Sequence, residues 1–314
     1  MKILAGVDEA GLGPTLGPLT TACGALSVPD SWQPDTPWDA LSCSLCRDWR
    51  RGETRTAVTD SKLMYKSGGI GALEKAVGTF SLLANASSVP SIEFSDFETC
   101  AGVHPCYSGR MEPFPASMDV KDLSDAALRI GTALSKADAG AAHLEVGVLY
   151  EPVLNRRFAA GLNKNEALLA ETGRRLSRLA AKFPEHSILV MVDKQGGRND
   201  YLPFLMSLFP GAWLEELTAG GQLSSYRMRR AGGDVEFRFQ AKADRISFPT
   251  ALASLAAKYV RERAMAELNA WFSERVEGLE PTAGYPEDAR RWLTHVRKAP
   301  NAGELGLELV VRER

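Results

Sequence analysis

Ile3-Leu4-Ala5-Gly6-Val7-Asp8-Glu9-Ala10-Gly11-Leu12-Gly13-Pro14-Thr15-Leu16-Gly17-Pro18-Leu19 decides how this chain is read. Ile3 to Val7 is an apolar run, too short for a helix, and reads as a buried strand. It ends on two adjacent carboxylates, Asp8 and Glu9. Gly11, Gly13, Pro14 and Gly17, with Pro18 behind them, then mark a tight loop. Two negative charges at the end of a core strand are costly unless something positive compensates them. A divalent metal ion is the simplest compensation. An Asp-Glu pair can also be an ordinary solvated turn. The glycines weigh against that reading, because they let the backbone approach a ligand closely.

The same logic returns later in the chain. Ser187 to Val192 is fully apolar and reads as a central strand. It ends on Asp193, followed by Lys194-Gln195-Gly196-Gly197-Arg198. Val235 to Gln240 reads as a further strand, with Lys242-Ala243-Asp244 behind it. A helix follows, started by Arg245 or Ser247, with Pro249 suited to its first turn. Within it Ser254, Lys258 and Arg261 fall at helical spacing, so one face carries a hydroxyl and two cations. A solvated helix edge is the competing reading. Thr59-Asp60-Ser61-Lys62-Leu63 precedes another helical stretch, Ile70 to Phe80. Ser61 and Lys62 at a helix N-terminus would suit a phosphate. A plain helix cap by Asp60 or Ser61 is the alternative.

These segments resemble the motifs of the ribonuclease HII family. Asp-Glu-Ala-Gly-x-Gly-Pro-x-x-Gly-Pro is similar to its opening motif, which has Arg where this chain has Leu12. Asp60-Ser61-Lys62-Leu63 resembles the family's Asp-Ser-Lys-Lys-Leu, one residue shorter. Val192-Asp193-Lys194 resembles Val-Asp-Gly, and Lys242-Ala243-Asp244 resembles Lys-Gly-Asp. The helix from Ser254 to Glu262 resembles the alanine-rich Ser-Ile-x-Ala-Lys-x-x-Arg-Asp segment. Ala283-Gly284-Tyr285 resembles the family's Lys-Gly-Tyr. With Lys242–Asp244 and the helix behind it taken as one region, five motif regions fall in the family's order across residues 3 to 286.

The resemblance implies a ribonuclease H-like α/β fold: a mixed sheet of about five strands flanked by helices, with a helical C-terminal portion at about 249–314. The alternation of strands and helices supports the α/β class independently. The family core is shorter than this chain, so we expect one domain over 1–314 with insertions at about 30–55 and 95–155. The resemblance also implies that Asp8, Glu9, Asp193 and Asp244 are catalytic and hold metal. It implies that Gly11, Leu12, Gly13, Ser61, Lys62, Lys242, Ser254, Lys258, Arg261 and Tyr285 contact substrate.

Oxygen-only ligands suit Mg²⁺ or Mn²⁺ rather than zinc. Two such ions can activate a water and stabilise a leaving 3′-oxygen. With four histidines, none near a motif, no hydrolytic triad is visible. The expected activity is metal-dependent hydrolysis of the RNA strand at ribonucleotides in RNA–DNA hybrids or ribonucleotide-containing DNA duplexes. A ribonuclease H-fold nuclease with another nucleic-acid substrate is one alternative. An inactive nucleic-acid-binding module is the other, and four crowded carboxylates without metal would be a liability for it. Ribose differs from deoxyribose by its 2′-hydroxyl, and the backbone amides of Gly11, Leu12 and Gly13 can read it without an Arg side chain.

Composition bounds the rest. The chain has 314 residues and a formal net charge of −2, so nucleic acid must be met by a local basic patch. No apolar run reaches the ~18 residues of a membrane span, and no signal-peptide pattern is present. Five cysteines fit a reducing compartment better than a disulfide framework. We expect a cytoplasmic monomer whose partner is nucleic acid. Cys43 and Cys46 could bind zinc with Cys100, His104 or Cys106, but the spacing fits no zinc module and buried thiols are the simpler reading. Leu19 to Val28 reads as the return strand of a hairpin, Ser91 to Ser95 as a strand, and His143 to Leu149 as a strand or sheet edge. Val120 to Ala137, Asn163 to Lys182, Tyr201 to Phe209 and Arg290 to Val296 read as helices. Asn301 to Glu313 carries no motif.

Overall fold

The computed structural model describes residues 1–50, 52–86, 93–95, 102–108, 114–195 and 197–313. Ser91, Ile92, Cys100 and Gly196 lie outside them. Among the described residues the strands are β1 (Lys2–Ala10), β2 (Leu19–Val28), β3 (Leu45–Cys46), β4 (Thr56–Ala57), β5 (Glu93–Ser95), β6 (Gly140–Leu149), β7 (Ile188–Asp193), β8 (Trp213–Thr218), β9 (Leu223–Arg229) and β10 (Val235–Gln240). The helices are α1 (Thr36–Ala40), α2 (Ser61–Asn85), α3 (Val120–Lys136), α4 (Glu151–Ala159), α5 (Lys164–Lys182), α6 (Leu202–Leu208), α7 (Phe248–Ser273) and α8 (Pro286–Val296).

Eight strands form one mixed sheet in the order β5-β6-β2-β1-β7-β10-β9-β8. Its middle, β6-β2-β1-β7-β10, is the five-strand mixed sheet that the resemblance implies. β2 runs antiparallel to both its neighbours, β1 and β6, whereas β1, β7 and β10 are mutually parallel. Three parallel neighbours place three C-terminal ends on one edge of the sheet. Asp8, Asp193 and the Lys242–Asp244 turn all sit just past those ends.

Side-chain parity sends each residue to one of two cores. Leu4 and Leu189 pack on the face covered by α2 and α7. Ile3, Ala5, Val7, Ile188, Val190 and Val192 pack on the opposite face, under α5 and α6. Asp8 and Asp193 follow the parity of Leu4 and Leu189, so both point towards α7. Val7 pairs with Val192 in the parallel register, so the two aspartates lie side by side.

α7 is buried almost all round in its first turns, as an alanine-rich central helix must be. Ser247 caps it, its hydroxyl accepting from the Thr250 amide at 3.4 Å. Its first turn lies against β1 so closely that a Cβ on Gly6 would sit 2.1 Å from the Thr250 nitrogen. Only glycine permits that approach.

The structure revises several boundaries. The helix expected over Ile70 to Phe80 begins at Ser61 and bends at Gly69, where φ is 63°. Asp60 is its cap, accepting from the Lys62 and Leu63 amides at 3.0 and 3.1 Å. β6 is an inner strand between β2 and β5, so part of the stretch expected as an insertion builds the sheet itself. Its run from His143 to Leu149 is buried throughout, which erases the alternation a one-sided strand would show. β8 was not expected: it is a polar edge strand with an exposed Trp213. α5 carries the expected Asn163 cap, completed by Glu166 as a capping box. Among the described residues, no helix is long and apolar enough to cross a membrane.

Candidate active site

One cavity of about 400 Å³ opens at the edge where β1, β7 and β10 end. Every residue expected from the sequence lines it: Asp8, Glu9, Asp193 and Asp244, the Gly11-Leu12-Gly13 loop, Ser61 and Lys62, Lys242, Ser254, Lys258 and Arg261, and Tyr285. Ala10, Asp60 and Arg245 also line it and were not singled out. The Arg245 guanidinium faces the Asp60 carboxylate at 3.8 Å, a pairing between residues far apart in sequence.

The four carboxylates are held in an electrically unfavourable arrangement. Burial raises Asp8 well above the usual carboxylate range, and Glu9 and Asp193 add repulsion that a hydrogen bond from Ser254 only partly offsets. Burial and the charge of Asp193 raise Glu9. Burial raises Asp193, against the hydrogen bonds of the Ala243, Lys242 and Lys194 amides. Burial, Asp193 and Asp60 raise Asp244. Among the described residues, no Lys or Arg nitrogen lies within 4.0 Å of any of the four. Carboxyls raised in this way are relieved either by taking up a proton or by a nearby cation.

Local backbone geometry aims the ligands. Lys242 adopts a left-handed conformation with φ 58°, unusual outside glycine. The turn it makes brings the Ala243 amide to Asp193 Oδ1 at 3.0 Å and starts the Ala243–Arg245 turn that carries Asp244. Gly11 has φ 90°, and a Cβ there would meet Arg261 Nε at 2.6 Å.

The basic side of the cavity is not a solvated helix edge. Arg261 is buried and its guanidinium donates to the Ala283 carbonyl at 3.0 Å. Lys258 and Arg261 share Glu262, at 2.5 and 3.1 Å. The Arg261 guanidinium lies 5.7 Å from the centre of the Tyr285 ring. Ser254 and Ser61 meet through their hydroxyls at 3.0 Å. The cap of α2 and the cavity wall are therefore one structure, and the cap reading of Asp60 holds.

Among the described residues, no group of three or more His, Cys, Asp or Glu side chains is gathered tightly enough to hold one metal ion. Zinc binding by the cysteines has no support there. Cys43 is exposed, Cys46 and Cys106 are buried, and His104 is taken up by the Leu305 carbonyl at 2.8 Å. For the carboxylates the donor chemistry still fits Mg²⁺. That ion keeps several waters and takes one or two carboxylates together with substrate oxygens, so it needs no cage of three.

Leu12 has a definite partner. It packs against an apolar cluster of Leu19, Leu149, Val153, Leu154, Phe158, Ala167 and Leu168, contributed largely by α4 and α5. An arginine there would lose about 1–2 kcal/mol of that packing. We therefore expect Leu12→Arg to lower the melting temperature and to leave duplex affinity unchanged at both low and high salt. Tighter, more salt-dependent binding by a fully stable variant would show that position 12 instead faces a phosphate.

Glu151 and Arg312 were missed by the sequence reading. Glu151, wholly buried, accepts from the Gly17 amide at 2.9 Å and from the Tyr107 hydroxyl at 2.7 Å. Burial pushes its carboxyl up to about 7 despite these bonds. Arg312, in a stretch without motifs, is also buried and reaches back to the glycine loop. A lone Arg or Glu gives no sequence signal for such a contact.

No family model matches this chain, and no curated protein matches it. Solved structures similar to it include the ribonuclease HII of Archaeoglobus fulgidus in complex with PCNA, at 20% identity and a TM-score of 0.45, covering 99% of this chain and 94% of that one. Bst-RNase HIII in complex with Mn²⁺ is similar at 16% identity and a TM-score of 0.45, covering 99% of this chain and 66% of that one. Ribonuclease H2 of Pyrococcus horikoshii OT3 is similar at 14% identity and a TM-score of 0.41, covering 98% of both chains.

Proposed function

We propose that this protein is a metal-dependent endonuclease that hydrolyses the RNA strand at ribonucleotides in RNA–DNA hybrids or ribonucleotide-containing DNA duplexes. The observation that carries the reading is one cavity in which four carboxylates, none in a salt bridge with Lys or Arg among the described residues, face a wall of Lys62, Lys258, Arg261 and Tyr285. Bound Mg²⁺ or Mn²⁺ would supply the activated water and the Lewis acid for in-line displacement at phosphorus. Asp8, Glu9, Asp193 and Asp244 are the residues that would hold it. Asp193 is kept in place by the Ala243 amide, and Asp8 by the Ser254 hydroxyl.

The chain's own groups divide the remaining work. Lys62, on the first turn of α2, offers a cation to a phosphate, while the amides of Lys62 and Leu63 are already taken by the Asp60 cap. Tyr285 presents a 47% exposed ring against which a sugar can pack. The amides of Leu12 and Gly13 have no hydrogen-bond partner among the described residues, so they are free to bond a 2′-hydroxyl. No side chain is required at position 12 for that contact. A deoxyribose leaves the amides unsatisfied, which is the physical basis of discrimination.

The test is cleavage of a DNA duplex carrying one ribonucleotide, with an all-DNA duplex as control. We expect cutting at the ribonucleotide with Mg²⁺ or Mn²⁺, no cutting with chelator, and an intact control. Cleavage that persists in chelator, or that ignores the ribonucleotide, would sink the reading.

A further inference from the structure

The glycine loop is held from outside by residues that never reach the cavity. The Arg312 guanidinium donates to three loop carbonyls: Gly11 at 2.5 Å, Pro14 at 3.2 Å and Gly17 at 2.8 Å. Its backbone amide donates to the Thr15 carbonyl at 2.9 Å, and Val311 bridges Leu16. From the opposite side Glu151 takes the Gly17 amide. The Gly284 carbonyl takes the amides of Thr15 and Leu16 at 2.8 and 3.1 Å. The peptide groups of residues 14–17 are thus engaged one after another, while the amides of Leu12 and Gly13 remain open.

The buried guanidinium spends its donors on backbone carbonyls, and its charge also faces the buried carboxylate of Glu151, which holds the same loop through the Gly17 amide. Arginine's rigid fork suits the task, since it fixes several acceptors at once. Gly284 immediately precedes Tyr285, so the same bonds tie the tyrosine to the loop. From this geometry we infer that Arg312 is a positioning residue. It fixes the loop so that the Leu12 and Gly13 amides and the Tyr285 ring present one preformed surface to the substrate sugar. This inference rests on the function proposed above for what the surface recognises, but not for the latch itself.

The test uses the full chain with Arg312→Met, and with Arg312→Lys as a milder second variant. In the first arm, hydrogen–deuterium exchange is followed without substrate or metal. The bonded amides of Thr15, Leu16 and Gly17 in Arg312→Met should exchange about tenfold faster or more, with β7 and α5 keeping wild-type protection. In the second arm, KM and kcat are measured on the duplex carrying one ribonucleotide. Arg312→Met should raise KM about tenfold and weaken preference over all-DNA duplex, with a smaller change in kcat. Arg312→Lys should fall between it and wild type.

A merely structural residue would lower the amount of active protein without splitting KM from kcat. Unchanged exchange at Thr15, Leu16 and Gly17 overturns the latch. Faster exchange with unchanged KM and unchanged preference overturns its role in recognition. A wild-type chain that cuts no ribonucleotide-containing duplex overturns the proposed function instead, and the exchange arm alone then decides the latch. If Arg312→Met does not fold, Arg312→Lys is judged by the same outcomes.

Discussion

Asp8→Asn and Asp193→Asn are each expected to slow phosphodiester cleavage by roughly 10³-fold or more, a barrier increase of about 4 kcal/mol. Both residues point to the α7 face in adjacent register, and burial keeps each carboxyl raised. An amide cannot supply the negative charge a divalent cation needs. Metal-free stability should nevertheless stay level or rise in both variants. A carboxyl whose folded pKa is raised costs stability when ionised, above that pKa. The cost fades as pH falls towards the unfolded value. The gain from Asn should therefore be largest at neutral and alkaline pH and vanish below about pH 4. The measurements are single-turnover cleavage and melting curves in chelator at several pH values. Undiminished cleavage by either variant would refute the metal assignment. A large loss of stability at pH 8 would show that the carboxylates serve the fold.

Gly6→Ala is expected to lower stability by about 3 kcal/mol, at the upper end of overpacking costs. The added methyl would sit 2.1 Å from the Thr250 nitrogen and 2.5 Å from the Pro249 carbonyl carbon. These are backbone atoms of a helix turn, not the end of a flexible chain, so α7 must move away from β1. The loss should appear as a melting temperature lower by roughly 4–5 °C. α7 also carries Ser254, Lys258 and Arg261, so activity should fall at temperatures where the variant is still folded. A variant that melts within about 1 °C of wild type would mean that α7 does not rest on β1 as described.

The two central strands were legible because their sequences are simple. Ile3–Val7 and Ile188–Val192 are uninterrupted apolar runs ending on Asp, and a strand buried on both faces has no other pattern available. The cavity was legible because its ligands sit at strand ends and helix starts, places that Gly, Pro and capping residues mark in the sequence. β8 was not legible: Trp213 to Thr218 is an edge strand, half-exposed and polar, and nothing local distinguishes it from a loop. β6 read as an edge because burial on both faces blurs the period of two. The partner of Leu12 was invisible for a different reason. Its cluster draws on Leu19, Leu149 and Leu168, and no periodicity links residues that distant. Arg312 follows the same rule at longer range, since a single buried Arg differs in no way from a surface one until its carbonyls are in view.

The latch on the glycine loop also bears on how the chain comes to fold. Asp8 and its loop emerge first during synthesis, but their anchors come from α4, from Gly284 and finally from Arg312. Such long closures are slow to form and are rewarded only once the intervening chain has collapsed. The hairpin of β1 and β2 can pair early from local contacts alone. The loop between those strands stays without its anchors until almost the whole chain is available. The glycine loop is therefore among the last parts of the molecule to order, after the segments carrying all four carboxylates.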